Sequence, residues 1–183
     1  MTTTSTATQG LLHILIPTDR RPLKLNRLLA SMAQQGYGTS GRVKITVSEN
    51  GGSEGADQVV ERWKDKLPVS YIHQPAPLGV LLHLAVCYAH CAGEYCWVMG
   101  DDDILTDAPW PDLEAKLAQE NLDALLVGHD FIDAQGGLHH DSGHAYLEAM
   151  RPNYRGDCLD LVCSSPSTFT FISAVIMRTS RVQ

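Results

Sequence analysis

The sequence has no apolar run long enough to cross a bilayer. Its longest, such as 84–89 and 95–99, fall far short of the roughly 20 residues a membrane span needs. It also has no cluster of basic residues: Arg20-Arg21 is only a pair, and the formal net charge of the 183 residues is −7. A protein that grips nucleic acid through its phosphates carries a basic face, so nucleic acid is not an expected partner. An acidic protein still accommodates a phosphorylated ligand when a metal ion or helix N-termini supply the positive charge. No Cys-x-x-Cys pair occurs among the five cysteines. Cys87 and Cys91, four apart on an expected helix, would suit zinc, but reduced thiols buried in a cytosolic core are the simpler reading. Residues 1–10 are rich in Thr and Ser, with neither the basic region nor the apolar core of a signal peptide, and read as a loose tail.

What is present is an ordinary globular composition, 44% hydrophobic and 19% charged, in a length that fits one domain over 11–183. Short strand-like runs alternate with helical patterns. Residues 11–16 form a mostly apolar run stopped by Pro17. Leu25, Leu28, Leu29 and Met32 recur at helical spacing before Gly36. A second strand is expected over 43–47, and Ala56, Val59, Val60, Trp63 and Leu67 mark a second helix with Trp63 in its core face. A third strand follows over 69–73. A third helix is expected with Leu78, Leu81, Leu82, Ala85, Ala89 and Ala92 on its apolar face. A fourth strand over 95–99 runs into Gly100 and three aspartates. A fourth helix, with Leu113 and Leu117, is entered through Pro109 and Pro111. A fifth strand over 124–127 precedes a turn at Gln135-Gly136-Gly137. Such alternation predicts an α/β fold, a Rossmann-like mostly parallel sheet with helices on both faces. Beyond about residue 131 the pattern loosens into a polar stretch with His139, His140 and His144 and an apolar stretch over 169–177.

In an open parallel sheet ligands bind beyond the carboxyl ends of the strands. Three polar clusters fall there: Pro17-Thr18-Asp19-Arg20, Ser48-Glu49-Asn50 and Asp101-Asp102-Asp103. Three adjacent carboxylates repel one another, each close pair by about 1 kcal/mol in water and about 4 kcal/mol at an effective dielectric of about 20. A solvated acidic turn would account for an isolated triplet. This one directly follows a buried-strand signature, Tyr95-Cys96-Trp97-Val98-Met99-Gly100, which favours a hard oxygen site for Mg2+ or Mn2+ at the sheet mouth. In an extended segment Asp101 and Asp103 would face one side and Asp102 the other.

Ile16-Pro17-Thr18, then Val47 to Gly55, then Leu78-Gly79, then Gly93-Glu94-Tyr95, then Gly100 to Leu105 resemble the successive landmarks of family 2 glycosyltransferases over about residues 11–135. The resemblance implies a GT-A-type domain and an inverting, metal-dependent transfer of a sugar from a nucleotide-diphospho-sugar to an acceptor hydroxyl. The acceptor is expected to be a saccharide or a lipid-linked group, in polysaccharide or glycoconjugate synthesis. It places Pro17, Thr18 and Asp19 at the nucleoside. Glu49 stands where relatives carry Asp, and Arg20, Asn50 and Gly79 join the donor site. Asp103 is the expected direct metal ligand, with Asp101 beside it, while Asp101 or Asp102 reaches the ribose or a metal-bound water. His83 lies where relatives carry Asn, but a satisfied helical histidine is the expectation. Arg20 and Arg21 are either phosphate contacts or a solvated pair. The cofactor is Mn2+ or Mg2+, and the location is cytoplasmic, with peripheral association at the inner face of a membrane compatible with it.

The general base that an inverting enzyme needs is not evident. Asp130, Glu148, Asp157 and Asp160 are available acids that nothing places, so the base is expected beyond Gln183 in a chain cut short. Two alternatives stand beside this reading. A nucleotidyltransferase that makes nucleotide-sugars would open with a Gly-rich loop after the first strand, and none is present. A degenerate, non-catalytic nucleotide-sugar-binding module is the other.

Overall fold

A computed structural model describes residues 10–52, 55–119, 122–128, 131–132, 138–139 and 172–182. Residues 1–9 of the tail, the turn at Gln135-Gly136-Gly137, His140, His144, Asp130, Glu148, Asp157, Asp160, Cys158, Cys163 and 169–171 lie outside the described residues.

The main sheet has the strand order β3-β2-β1-β4-β8-β5. Its first four strands are parallel: β1 (Leu12–Thr18), β2 (Val43–Asn50), β3 (Val69–Gln74) and β4 (Tyr95–Val98). β1 lies at the centre, paired with β2 on one edge and β4 on the other, which is why its run is apolar on both faces. The last strand, β8 (Val175–Arg178), inserts antiparallel between β4 and β5 (Ala124–Leu126). A separate hairpin pairs β6 (Phe131–Ile132) with β7 (Leu138–His139). The expected mostly parallel α/β sheet is therefore present. The apolar stretch near the end of the sequence supplies its antiparallel strand.

Helices α1 (Pro22–Gln34) and α2 (Ala56–Trp63) connect β1 to β2 and β2 to β3, stepping outward in one direction. The next connection, through α3 (Val80–Ala89), returns across the sheet from β3 to β4. Right-handed crossovers put α1 and α2 on one face and α3 on the other. The core divides accordingly. Ile14 and Ile16 of β1 join Leu25, Leu28, Leu29 and Met32 of α1 and Val59 and Val60 of α2. Leu15 points the other way and packs with Cys87, Cys91, Cys96 and Val98. These three cysteines are buried. α1 starts with Pro at its first turn, where a missing N–H costs nothing. It ends before Gly36, whose φ of +84° suits a glycine. Trp63 packs against the first cluster, and its indole N–H donates to Asn26 Oδ1 at 3.0 Å. α4 (Trp110–Gln119) completes that face with fully buried Trp110.

One expected face is wrong. α3 turns His83 and Cys87 inward, not Leu81 and Leu82, and Val80, Leu81 and Leu82 are 75%, 82% and 57% exposed. The helix is apolar almost all round, so hydrophobic periodicity carries no directional signal there. Hydrogen bonding decides instead: the His83 Nε2 and the Ser48 hydroxyl at the end of β2 lie 2.9 Å apart in the interior.

Candidate functional site

Between β1 and β4 the chain reverses its direction of progress across the sheet, and at such a switch point the flanking loops part to leave a crevice at the carboxyl ends. Thr18 closes β1 on one side of it, and Met99-Gly100 carries β4 into Asp101 on the other. The two sides are joined: the Thr18 hydroxyl donates to Asp101 Oδ2 at 2.7 Å, both residues being almost wholly buried. Arg21, at the start of α1, donates to Asp101 Oδ1 at 3.2 Å. Burial pushes the Asp101 carboxyl above its ordinary range, while Thr18 and Arg21 hold it down in part.

Asp102 is half exposed and faces cations. Lys24 Nζ lies 3.1 Å and an Arg21 guanidinium nitrogen 3.6 Å from its Oδ2. Partial burial pushes this carboxyl up, but its cationic neighbours, Lys24 foremost, outweigh it and the net direction is down. Asp103 turns back instead. Its Oδ2 accepts the Gly100 N–H at 2.9 Å and the hydroxyl of Ser173. Burial raises its pKa against those two bonds. The Ser173 hydroxyl also accepts from the Gly100 N–H at 3.0 Å, and the Ser173 carbonyl accepts from the Trp97 indole at 2.8 Å.

The triplet is thus not extended, and the expected sharing of one side by Asp101 and Asp103 does not occur. The Asp103 N–H donates to the Gly100 carbonyl at 3.2 Å, which closes a tight turn. In that turn Asp101 and Asp102 both reach Arg21 while Asp103 reaches Ser173. The oxygen-rich set fits a cation held by one or two carboxylates and completed by ligand oxygens, the habit of Mg2+ and Mn2+. It does not fit an all-protein cage, since among the described residues no three His, Cys, Asp or Glu side chains converge on one point.

The remaining candidates line the same rim. In register, Thr18 pairs with Glu49 and Asn50 with Gln74. Glu49 is fully buried and accepts the Tyr71 hydroxyl at 2.5 Å. Asn50 serves the backbone: its Nδ2 donates to the Leu78 carbonyl at 3.0 Å and its Oδ1 accepts the Leu78 N–H at 2.7 Å. This clamp sets the approach to Gly79, the N-cap of α3, and leaves open space beside its Cα. Gly51 has a φ of +74°, and a Cβ there would lie 2.4 Å from the Pro77 nitrogen, so only glycine lets the two loops meet. Asp19 and Arg20 pair with each other at 3.0 Å in solvent, and Arg20 has a φ of +55°. Pro17 is partly buried, opposite Ser48. Ser48 accepts from Gln74 Nε2 at 3.2 Å besides meeting His83. Burial lowers the His83 pKa, against a smaller upward pull from Asp19. Lys24, Tyr71, Gln74 and Ser173 join the site without any signal in the sequence that would single them out.

The profile of "Glycosyl transferase family 2" matches residues 13–175. The chain belongs to that family. This chain is 25% identical over 131 residues to abequosyltransferase RfbV of Salmonella typhimurium, a match covering 70% of the chain and 34% of that relative. It therefore spans about a third of the curated relative's length. Among solved structures, S. aureus TarS 1-349 in complex with UDP superposes with a TM-score of 0.68 at 17% identity, over 93% of this chain and 47% of TarS 1-349. The mannosyltransferase PcManGT from Pyrobaculum calidifontis, in complex with GDP-Man and Mn2+, gives 0.55 at 16% identity over 67% and 37% of the two chains. These likenesses show a shared fold. Among the described residues no helix of this chain is long and apolar enough to cross a membrane.

Proposed function

We propose that this chain holds the donor site of a metal-dependent, inverting glycosyltransferase acting on a nucleotide-diphospho-sugar. The observation that carries the reading is the buried bond from Thr18 to Asp101 across the switch point. It fixes a carboxylate where an open α/β sheet binds its ligand. Pro17, Thr18, Asp19 and Glu49 face the nucleoside in this reading, and Arg20, Asn50 and Gly79 complete the donor rim. Asp103 would hold the cation directly, and Asp101, whose oxygens are engaged by Thr18 and Arg21, would reach it through a bound water. Mn2+ or Mg2+ there supplies charge neutralisation for the departing nucleoside diphosphate. The protein's own part is to place the acids. Thr18 orients Asp101, Ser173 and the Gly100 N–H fix Asp103, and Arg21 with Lys24 keeps the crevice from being purely anionic.

UDP is bound by TarS and GDP-Man with Mn2+ by PcManGT, which supports a nucleotide-linked donor for this chain. The acceptor is proposed to be a saccharide or lipid-linked group in polysaccharide or glycoconjugate assembly, reached from the cytoplasm, with peripheral attachment at the inner face of a membrane. No described residue is assigned as the acceptor's base. The test is thermal denaturation with UDP and GDP, each with and without Mn2+. A ligand at about 100 times its Kd stabilises the folded state by about 2.7 kcal/mol. That is about 5–11 °C for a chain of this size. Asp103→Ala is expected to abolish the metal-dependent part. Absence of any shift in the wild type, with or without Mn2+, defeats the proposal.

A further inference from the structure

The acids at the crevice already have a cation. Arg21 donates to buried Asp101 at 3.2 Å and reaches Asp102 at 3.6 Å, and Lys24 sits 3.1 Å from the same Asp102 oxygen. Asp103 is held quite differently, by the neutral donors of Ser173 and Gly100. Arg21 and Lys24 stand on the first turn of α1 or just before it, and both side chains are about half exposed (51% and 46%), so neither is locked into the core. The first turn of a helix presents N–H groups as well, so cationic side chains at that point gather more positive potential than charge balance with two aspartates requires.

We infer that Arg21, seconded by Lys24, is a built-in counter-cation of the acidic turn: it weakens divalent-ion binding while the donor site is empty and turns onto the donor's phosphates when a nucleotide enters. This rests on the donor-site reading above. Its consequence is mutual dependence: ion and nucleotide each bind better with the other present, because the phosphates draw away the charge that opposes the ion. By linkage the enhancement is the same in both directions. Arg21 acts through the carboxylates while the site is empty and touches the donor directly once a nucleotide is bound.

The experiment is a Mn2+ titration of the intact chain at low salt, read as free Mn2+ by electron paramagnetic resonance, with and without UDP or GDP. A unit charge about 6 Å from a divalent ion lowers its affinity by about tenfold even at the dielectric of water. Without nucleotide, Arg21→Gln is therefore expected to bind Mn2+ about tenfold or more tighter than wild type. Lys24→Gln should move the same way by about threefold, and Arg21→Lys should stay near wild type. With nucleotide, the wild type should gain more Mn2+ affinity than Arg21→Gln does. Circular dichroism and melting curves check that each variant is folded, and Lys24→Gln, an exposed change, serves if Arg21→Gln is not. Mn2+ affinity in Arg21→Gln and Lys24→Gln equal to or below that of a wild type that does bind Mn2+ with nucleotide overturns the counter-cation while leaving the donor site standing. A wild type that binds neither Mn2+ nor nucleotide overturns the donor site, and the counter-cation with it.

Discussion

Replacing Thr18 by Val removes one hydroxyl and almost no volume. Thr18 and Asp101 are 2% and 4% exposed, so no water takes over the bond of 2.7 Å that is lost. A hydrogen bond to a charged acceptor contributes about 1.5–3 kcal/mol. For a chain of this size that is a drop of about 3–12 °C in Tm. The loss should depend on pH with a definite sign. Burial already raises the Asp101 pKa above its unfolded value, and Thr18 is the leading influence holding it down. Without Thr18 the pKa rises further, so the penalty falls on the charged form. It is largest at neutral pH and fades as the carboxyl is protonated on acidification. Urea denaturation of wild type, Thr18→Val and Thr18→Ser at several values between pH 4 and 7.5 measures this. Thr18→Ser keeps the donor and should stay within about 1 kcal/mol of wild type. A Thr18→Val loss under about 0.5 kcal/mol at pH 7.5, or one that does not change on acidification, refutes the reasoning.

Gly51→Ala combines a left-handed backbone, about 1–2 kcal/mol for an L residue, with a Cβ 2.4 Å from backbone at Pro77; denaturation should show a loss above about 2 kcal/mol. His83 is buried with a lowered pKa, so the unfolded chain takes up a proton below about pH 6.5 that the folded chain refuses. Wild-type stability should therefore fall as pH drops through that region, and His83→Gln should flatten the fall in the same titration. Leu29→Ala, at a fully buried position of α1, should cost about 2–5 kcal/mol, whereas Leu81→Ser, at a position 82% exposed, should stay within about 0.5 kcal/mol. Equal losses in those two variants would restore the expected apolar face of α3 and unseat the observed one.

The parallel half of the fold was legible because β1, β2 and β4 are largely buried on both faces and each of α1 and α2 has one apolar stripe. Both leave period and run length in the sequence. The rim was legible by the same route, since polar residues directly after buried runs mark strand ends. α3 was not, because a helix built of Val, Leu, Ala and Cys gives no stripe, and a histidine became its inward residue through a partner 35 positions away in Ser48. The acidic turn was placed correctly and shaped wrongly: alternation along a strand says nothing about the turn that Gly100 permits. Ser173 lies 70 residues from Asp103 and is joined to it only through the antiparallel insertion of β8, a pairing that local pattern does not encode. Arg21 was visible as a residue but not as the partner of two aspartates some 80 positions away.

That insertion has a bearing on how the molecule is made. β4, which delivers the three aspartates, finds its outer neighbour only when Tyr95 meets Arg178, Cys96 meets Met177 and Trp97 meets Ile176. A chain emerging from the ribosome can assemble β1, β2, β3 and their helices early. The carboxylate that Ser173 steadies must wait until nearly the whole of these 183 residues has been synthesised. Maturation of the acidic turn thus waits on Ser173, so nascent chains halted shortly before it would carry the parallel strands β3, β2, β1 and β4 and an unfinished acidic turn.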